Sequence, residues 1–173
     1  MKTLLMGMGN PILCDDAVGV RLARDFKRRL GNLPGMDVLE ECAVGGLSLL
    51  DFSTGYDRVV VLDSIRTEGG IPGMWYYFTA RALRDTLHLT NIHDVNFATA
   101  LELGRVVGMP LPLPGEIHIF AVEAKENRAF SEEMTPELES TYSLYAPAIL
   151  NEVLKLLQTS PASPTCVAQP GGG

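Results

Sequence analysis

The sequence predicts an α/β fold: a single domain on a mostly parallel sheet of about five strands, with helices on both faces. Three observations predict it. The chain opens with a continuous apolar run, Thr3–Met8, short enough to be a strand buried on both faces, and Val59-Val60-Val61-Leu62 repeats that signal later. After the first run the apolar spacing changes to that of a helix. Segments of the two kinds then alternate along the chain, the pattern of βαβ units.

Taken in order, the first strand ends at Gly7-Met8-Gly9-Asn10-Pro11, a cluster of strong turn formers. From Asp15 the period is helical: Val18, Leu22, Phe26 and Leu30 recur every four residues, with Arg21, Arg24, Asp25 and Arg28 on the other side. Acids in its first turn and bases in its last match the helix dipole, and Gly31 and Pro34 end it. Asp37–Ala43 reads as a second strand, followed by the turn Gly45-Gly46 and a short helix over Leu47–Phe52. Arg58–Asp63 is the clearest parallel strand, and the aromatic Met74–Thr79 is expected nearer the sheet edge. A helix is expected over Val95–Val107, with Phe97, Leu101 and Val106 or Val107 inward. Glu116–Val122 alternates Ile117, Ile119 and Ala121 against Glu116, His118 and Phe120, and is the expected last strand. Thr135-Pro136-Glu137 introduces the final helix with an N-cap and Pro at the first helical position. Its apolar face is Leu138, Tyr142, Tyr145, Ile149, Val153 and Leu156, and Pro147 is expected to kink or divide it. The domain is expected to span 1–157. Residues 158–173, without periodicity, are expected to form a disordered tail.

Composition narrows the function classes. A chain of 173 residues, 46% hydrophobic and 20% charged, can bury a sizeable core without a disulfide or structural metal. Fourteen Lys and Arg against 21 Asp and Glu give a net charge of −7, a poor balance for holding nucleic acid. The one cationic cluster, Arg24, Lys27, Arg28 and Arg29, falls on the predicted helix as its solvated face. No apolar run approaches the roughly 20 residues of a membrane span, so no membrane insertion is expected. The opening residues do not read as a secretory signal. Cys14, Cys42 and Cys166 are odd in number and form no CxxC pair; reduced thiols in a cytoplasmic protein are the simplest reading. Nothing in the sequence specifies an oligomeric state.

In parallel α/β sheets, ligands bind beyond the carboxyl ends of the strands. After the first strand come Gly9, Asn10, Cys14, Asp15 and Asp16; after the third come Asp63 and Ser64; Asn91-Ile92-His93-Asp94 leads into the central helix. A dinucleotide loop is disfavoured, because Ile12 stands where GxGxxG needs a small residue and two acids crowd the helix start. One of Asp15 and Asp16 suffices as a cap, which leaves the other for the crevice. Asp63 needs a partner at the crevice mouth. Cys14 beside the acids is a poor nucleophile, His118 is expected to face solvent or pack, and no GxSxG or HExxH motif is present. Two carboxylates and an imidazole form a partial, hard-to-borderline coordination set with open positions. The same trio can instead run acid–base hydrolysis, and both uses coexist if the metal belongs to the substrate.

Gly7-Met8-Gly9-Asn10-Pro11-Ile12-Leu13-Cys14-Asp15-Asp16-Ala17-Val18-Gly19 resembles the GxGNxLxxD(D/E)xxG opening of the maturation endopeptidases of NiFe-hydrogenases. The resemblance continues through Gly45-Gly46, Asp63, the His93 loop and Val122-Glu123, covering about residues 1–157. It implies a twisted, mostly parallel sheet flanked by helices, and a protease that removes a C-terminal extension from the hydrogenase large-subunit precursor once nickel is inserted. It implies that Asp16, Asp63 and His93 are the metal-contacting and catalytic residues. The first of these is often Glu in the family and is one methylene shorter here. Nickel is then carried by the substrate rather than held permanently, and an aspartyl-type or nickel-dependent mechanism both remain open. The loops Arg66–Gly73 and Met109–Gly115 are candidates for substrate docking. The competing classes are a non-proteolytic metal- or nucleotide-sensing module and a hydrogenase assembly chaperone that binds without cutting.

Overall fold

A computed structural model of the chain describes residues 1–43, 48–85, 100–101 and 103–160. Five strands form: β1 (Thr3–Met8), β2 (Met36–Cys42), β3 (Arg58–Ile65), β4 (Trp75–Thr79) and β5 (Ile117–Glu123). They make one sheet in the order β2-β1-β3-β5-β4. β1 pairs in parallel with β2 and β3, and β3 pairs in parallel with β5. β4 lies at the edge, as its composition predicts, but runs antiparallel to β5.

The helices are α1 (Val18–Leu30), α2 (Ser48–Ser53), α3 (Ala80–Asp85) and α4 (Pro136–Gln158). Residues 100, 101 and 103–106 are also helical, in the later part of the expected Val95–Val107 helix; 95–99 lie outside the described residues, as do Gly45-Gly46 and 161–173. The helix α3 has no counterpart in the sequence expectation.

Both faces of the sheet are covered. On one, Val18, Leu22 and Phe26 of α1 and Leu138, Ile149 and Val153 of α4 pack on Leu5, Val60, Leu62, Phe120 and Val122. On the other, Leu49 and Leu50 of α2, with Ala80, Ala100 and Leu101, cover Leu4, Met6, Val59, Val61, Ile117 and Ile119. Each large apolar side chain so buried contributes about 1.5–3 kcal/mol. Double coverage also explains β5, in which all seven residues are buried. His118 is therefore packed, not solvent-facing, and Phe120 is fully buried.

Beyond shifts of one residue at several element ends, three features differ from expectation. The α-helix begins at Val18, so Asp15 and Asp16 occupy a preceding 3-10 turn, Cys14–Ala17, rather than the first α-helical turn. β3 continues past Asp63 to Ile65. And α4 passes through Pro147 undivided. The carbonyl that loses its donor there belongs to Ser143, an exposed residue, where water can take the donor's place.

The topology creates a crevice. From β1 the chain travels through α1 to β2, whereas from β3 it travels the other way, toward β4 and β5. Adjacent parallel strands whose exits diverge leave an opening beyond their carboxyl ends. The β1–β3 ladder ends at Gly7–Leu62. Asp63, Ser64 and Ile65 run on beyond it, still paired with Ala121, Val122 and Glu123 of β5.

Candidate active site

Glycines bring the first turn of α1 onto the sheet. Gly9 has φ +122°, and a Cβ there would overlap the backbone carbonyl of Asp16. A Cβ on Gly19 would strike the carbonyl oxygens of both Met8 and Leu62. The start of α1 is thus pressed against the ends of β1 and β3. Asp16, three residues before Gly19, meets Ser64, two residues beyond Leu62 on the same face of β3.

Asp16 is half-buried at this junction. Its Oδ2 accepts the Asn10 amide at 2.7 Å and its Oδ1 accepts the Ser64 hydroxyl at 2.9 Å. Asp63, also half-buried, accepts the Ser64 amide on Oδ1 at 2.7 Å. The structure therefore brings Asp16 and Asp63 to one residue, Ser64, in the crevice. His93 lies outside the described residues. Among the described residues, no three His, Cys, Asp or Glu side chains form a group able to hold a metal.

Asp15 has a different fate from its neighbour. It is fully buried, and backbone amides and a hydroxyl converge on it. Its Oδ2 accepts the amides of Lys125 at 2.9 Å and Glu126 at 3.0 Å and the Thr135 hydroxyl at 2.9 Å, while Oδ1 accepts the Thr135 amide at 2.7 Å. Main-chain bonds reinforce the tie: the Asp15 amide donates to Glu126 O at 2.9 Å and the Cys14 amide to Ser131 O at 2.8 Å. Asp15 thereby fastens the Asp16 turn to the exit of β5 and the start of α4. Neither acid makes a side-chain cap bond to α1. Thr135, expected as the cap of α4, gives its hydroxyl to Asp15 instead.

Cys14 is buried, and burial first, then the Asp15 charge, pushes its thiol pKa up. It is unsuited to act as a nucleophile, as its neighbours imply. Cys42 is likewise buried.

Sequence reasoning passed over Glu123 as a separate feature of this rim. Only 2% exposed, it accepts the Thr67 amide on Oε1 at 2.6 Å and the Thr67 hydroxyl on Oε2 at 2.8 Å. The signal was available: like Asp63, it is an acid near the end of an apolar strand. Its bonds fasten the Arg66–Gly73 loop to the crevice rim. The Met109–Gly115 loop is not brought there. It leads into the amino end of β5, and Pro110 O accepts the Gly55 amide at 2.9 Å just before β3 begins.

The hydrogenase maturation protease family (HycI) matches residues 20–155. The chain belongs to that family. The match contains Asp63 and His93; the opening motif with Asp16 lies just ahead of it. The hydrogenase 2 maturation protease of Escherichia coli strain K12 is 31% identical over 85 residues, 49% of this chain and 48% of that protein. The aligned stretch thus spans about half the length of that curated relative. Among solved structures, the hydrogenase maturating endopeptidase HybD from E. coli superposes with a TM-score of 0.70 at 22% identity, over 91% of this chain and 93% of that one. The NiFe-hydrogenase maturation protease HybD from Thermococcus kodakarensis gives 0.66 at 23% identity, over 90% and 99%. This member of the hydrogenase maturation protease family therefore has the fold of HybD.

Proposed function

We propose that the protein is an endopeptidase that removes the C-terminal extension of a NiFe-hydrogenase large-subunit precursor after nickel insertion. In this reading Asp16, Asp63 and His93 recognise the nickel that the substrate carries. The observation that carries it is the meeting of Asp16 and Asp63 at Ser64, in the switch-point crevice of a chain belonging to this family.

The chemistry of the donors supports it. Asp16 is held by an amide and a hydroxyl, which orient a carboxylate without cancelling its charge. Carboxylates with an imidazole suit a divalent, borderline metal ion that arrives with some positions already filled by the substrate. The metal's binding free energy then exists only in the loaded precursor, which makes nickel insertion a condition of cleavage. One of the two carboxylates acts as general base, taking a proton from the water that attacks the scissile carbonyl, while the departing amine gains one. Acting on an unassembled precursor places the protein in the cytoplasm. Among the described residues, no helix is long and apolar enough to cross a membrane.

The test is incubation of purified protein with nickel-loaded and nickel-free precursor, read as mass loss. Only the loaded precursor is expected to shorten. Asp16→Asn, Asp63→Asn and His93→Ala are expected to abolish cleavage with melting temperatures close to the parent. Equal cleavage of both precursors removes nickel from the recognition step. Full activity in Asp63→Asn and His93→Ala removes the site assignment, and tight binding without mass loss points to a chaperone.

A further inference from the structure

Ser64 takes no part in the chemistry just described, yet it touches both carboxylates. Its hydroxyl donates to Asp16 and its amide to Asp63. It is 9% exposed, on the β3 face that carries Val60 and Leu62 and against which α1 packs. The second oxygen of Asp16 takes the Asn10 amide, so the carboxylate is held at both ends of its O–C–O fork. Asp16 is only half-buried, and a carboxylate at this rim that lost one of its two partners would turn toward water. A hydroxyl fixed by a strand opposes that turn. A backbone amide alone would leave the group free to pivot about one bond.

We propose that Ser64 is a positioning residue: its hydroxyl sets the orientation of Asp16, and through it the spacing of the two crevice carboxylates. The inference rests on the assignment of Asp16 and Asp63 to the reaction for its functional consequence, but not for its structural one. It separates Ser64→Ala, which deletes the hydroxyl, from Ser64→Thr, which keeps it and is well suited to a strand.

Two measurements on the full chain test it. In amide hydrogen exchange followed by NMR, Ser64→Ala should speed exchange at Asn10 about tenfold, because the Asp16 oxygen that accepts that amide is no longer fixed. Ser64→Thr should leave Asn10 near the parent rate. The amides of Lys125, Glu126 and Thr135, held by Asp15, should be unchanged in both, which separates local reorientation from general loosening. In cleavage of nickel-loaded precursor, Ser64→Ala should lower kcat/KM by about 10- to 100-fold, the usual effect of losing a group that orients a ligand, and Ser64→Thr should recover most of it. Unchanged Asn10 exchange in Ser64→Ala, or parent-like cleavage by that variant, overturns the proposal. If the parent protein cleaves no precursor, the proposed function fails, while the exchange comparison still decides whether Ser64 orients Asp16.

Discussion

The two ends of the sheet satisfy their buried carboxylates by opposite means. At the amino end, Glu116 is 6% exposed and meets Arg58, itself 2% exposed, whose Nε donates to Glu116 Oε2 at 2.8 Å. The same guanidinium reaches the last carbonyls of α4, donating to Leu156 O and, at 3.2 Å, to Thr159 O. His118 lies alongside, its Nδ1 2.9 Å from the Tyr77 hydroxyl and its Nε2 3.9 Å from Glu116. At the carboxyl end, Asp15, Asp16 and Glu123 are held by backbone amides and hydroxyls. The first arrangement cancels charge and closes the fold. The second satisfies hydrogen bonds through neutral donors, which suits the recognition of substrate-borne nickel proposed for this crevice.

Breaking the amino-end pair should have the largest effect. Arg58→Met removes the guanidinium that donates to buried Glu116 and is expected to lower stability by about 3–5 kcal/mol in urea unfolding. The double variant Arg58→Met/Glu116→Gln should recover most of that; a double as unstable as the single would refute the pairing. At the other end, Asp15→Ala orphans several buried donors and should cost about 2–4 kcal/mol. Asp16→Asn should change stability by less than about 1 kcal/mol while abolishing cleavage, and equal losses of stability from Asp15→Ala and Asp16→Asn would erase the division between the neighbours.

A smaller effect is expected from pH. Burial first, and then the Arg58 charge, holds the His118 pKa below its ordinary value. The unfolded chain therefore binds this proton more readily than the folded one, so stability is complete above about pH 6.5 and declines as pH falls below it. Melting curves between pH 8 and pH 5 should show this, and His118→Gln should flatten the slope; an unchanged slope would assign the decline to other groups. The smallest change is expected at the exposed pair Lys155–Glu152 on α4, where Lys155→Gln should alter stability by less than about 0.5 kcal/mol in urea unfolding.

Much of this arrangement was legible in the sequence because it is periodic. Apolar runs located the strands, four-residue spacing located α1 and α4, and the rule that sites lie past strand ends drew attention to Asp15, Asp16 and Asp63, with the family resemblance choosing Asp16 of the first two. The rest depended on long-range contacts. Asp15 and Asp16 are equivalent as letters, and only partners 110 to 120 residues away turn Asp15 into a clamp. The reversal of β4 was not readable, since side-chain alternation carries no strand direction. The β5 pattern left His118 either facing solvent or packed, and two helical layers over the sheet decide for packing. Pro147 was expected to kink or divide α4, and the helix is not divided there: the carbonyl that lacks a donor belongs to exposed Ser143.

The helix α4 is tied at both ends, to Asp15 through Thr135 and to Arg58 through Leu156 and Thr159. Its 23 residues span about 34 Å, the full height of the sheet. The backbone at Thr159 consequently emerges at the end opposite the crevice. An affinity tag or reporter joined directly behind that point starts at the opposite end of the sheet from Asp16 and Asp63, so immobilising the protein there leaves the crevice facing outward, toward the large precursor proposed as its substrate.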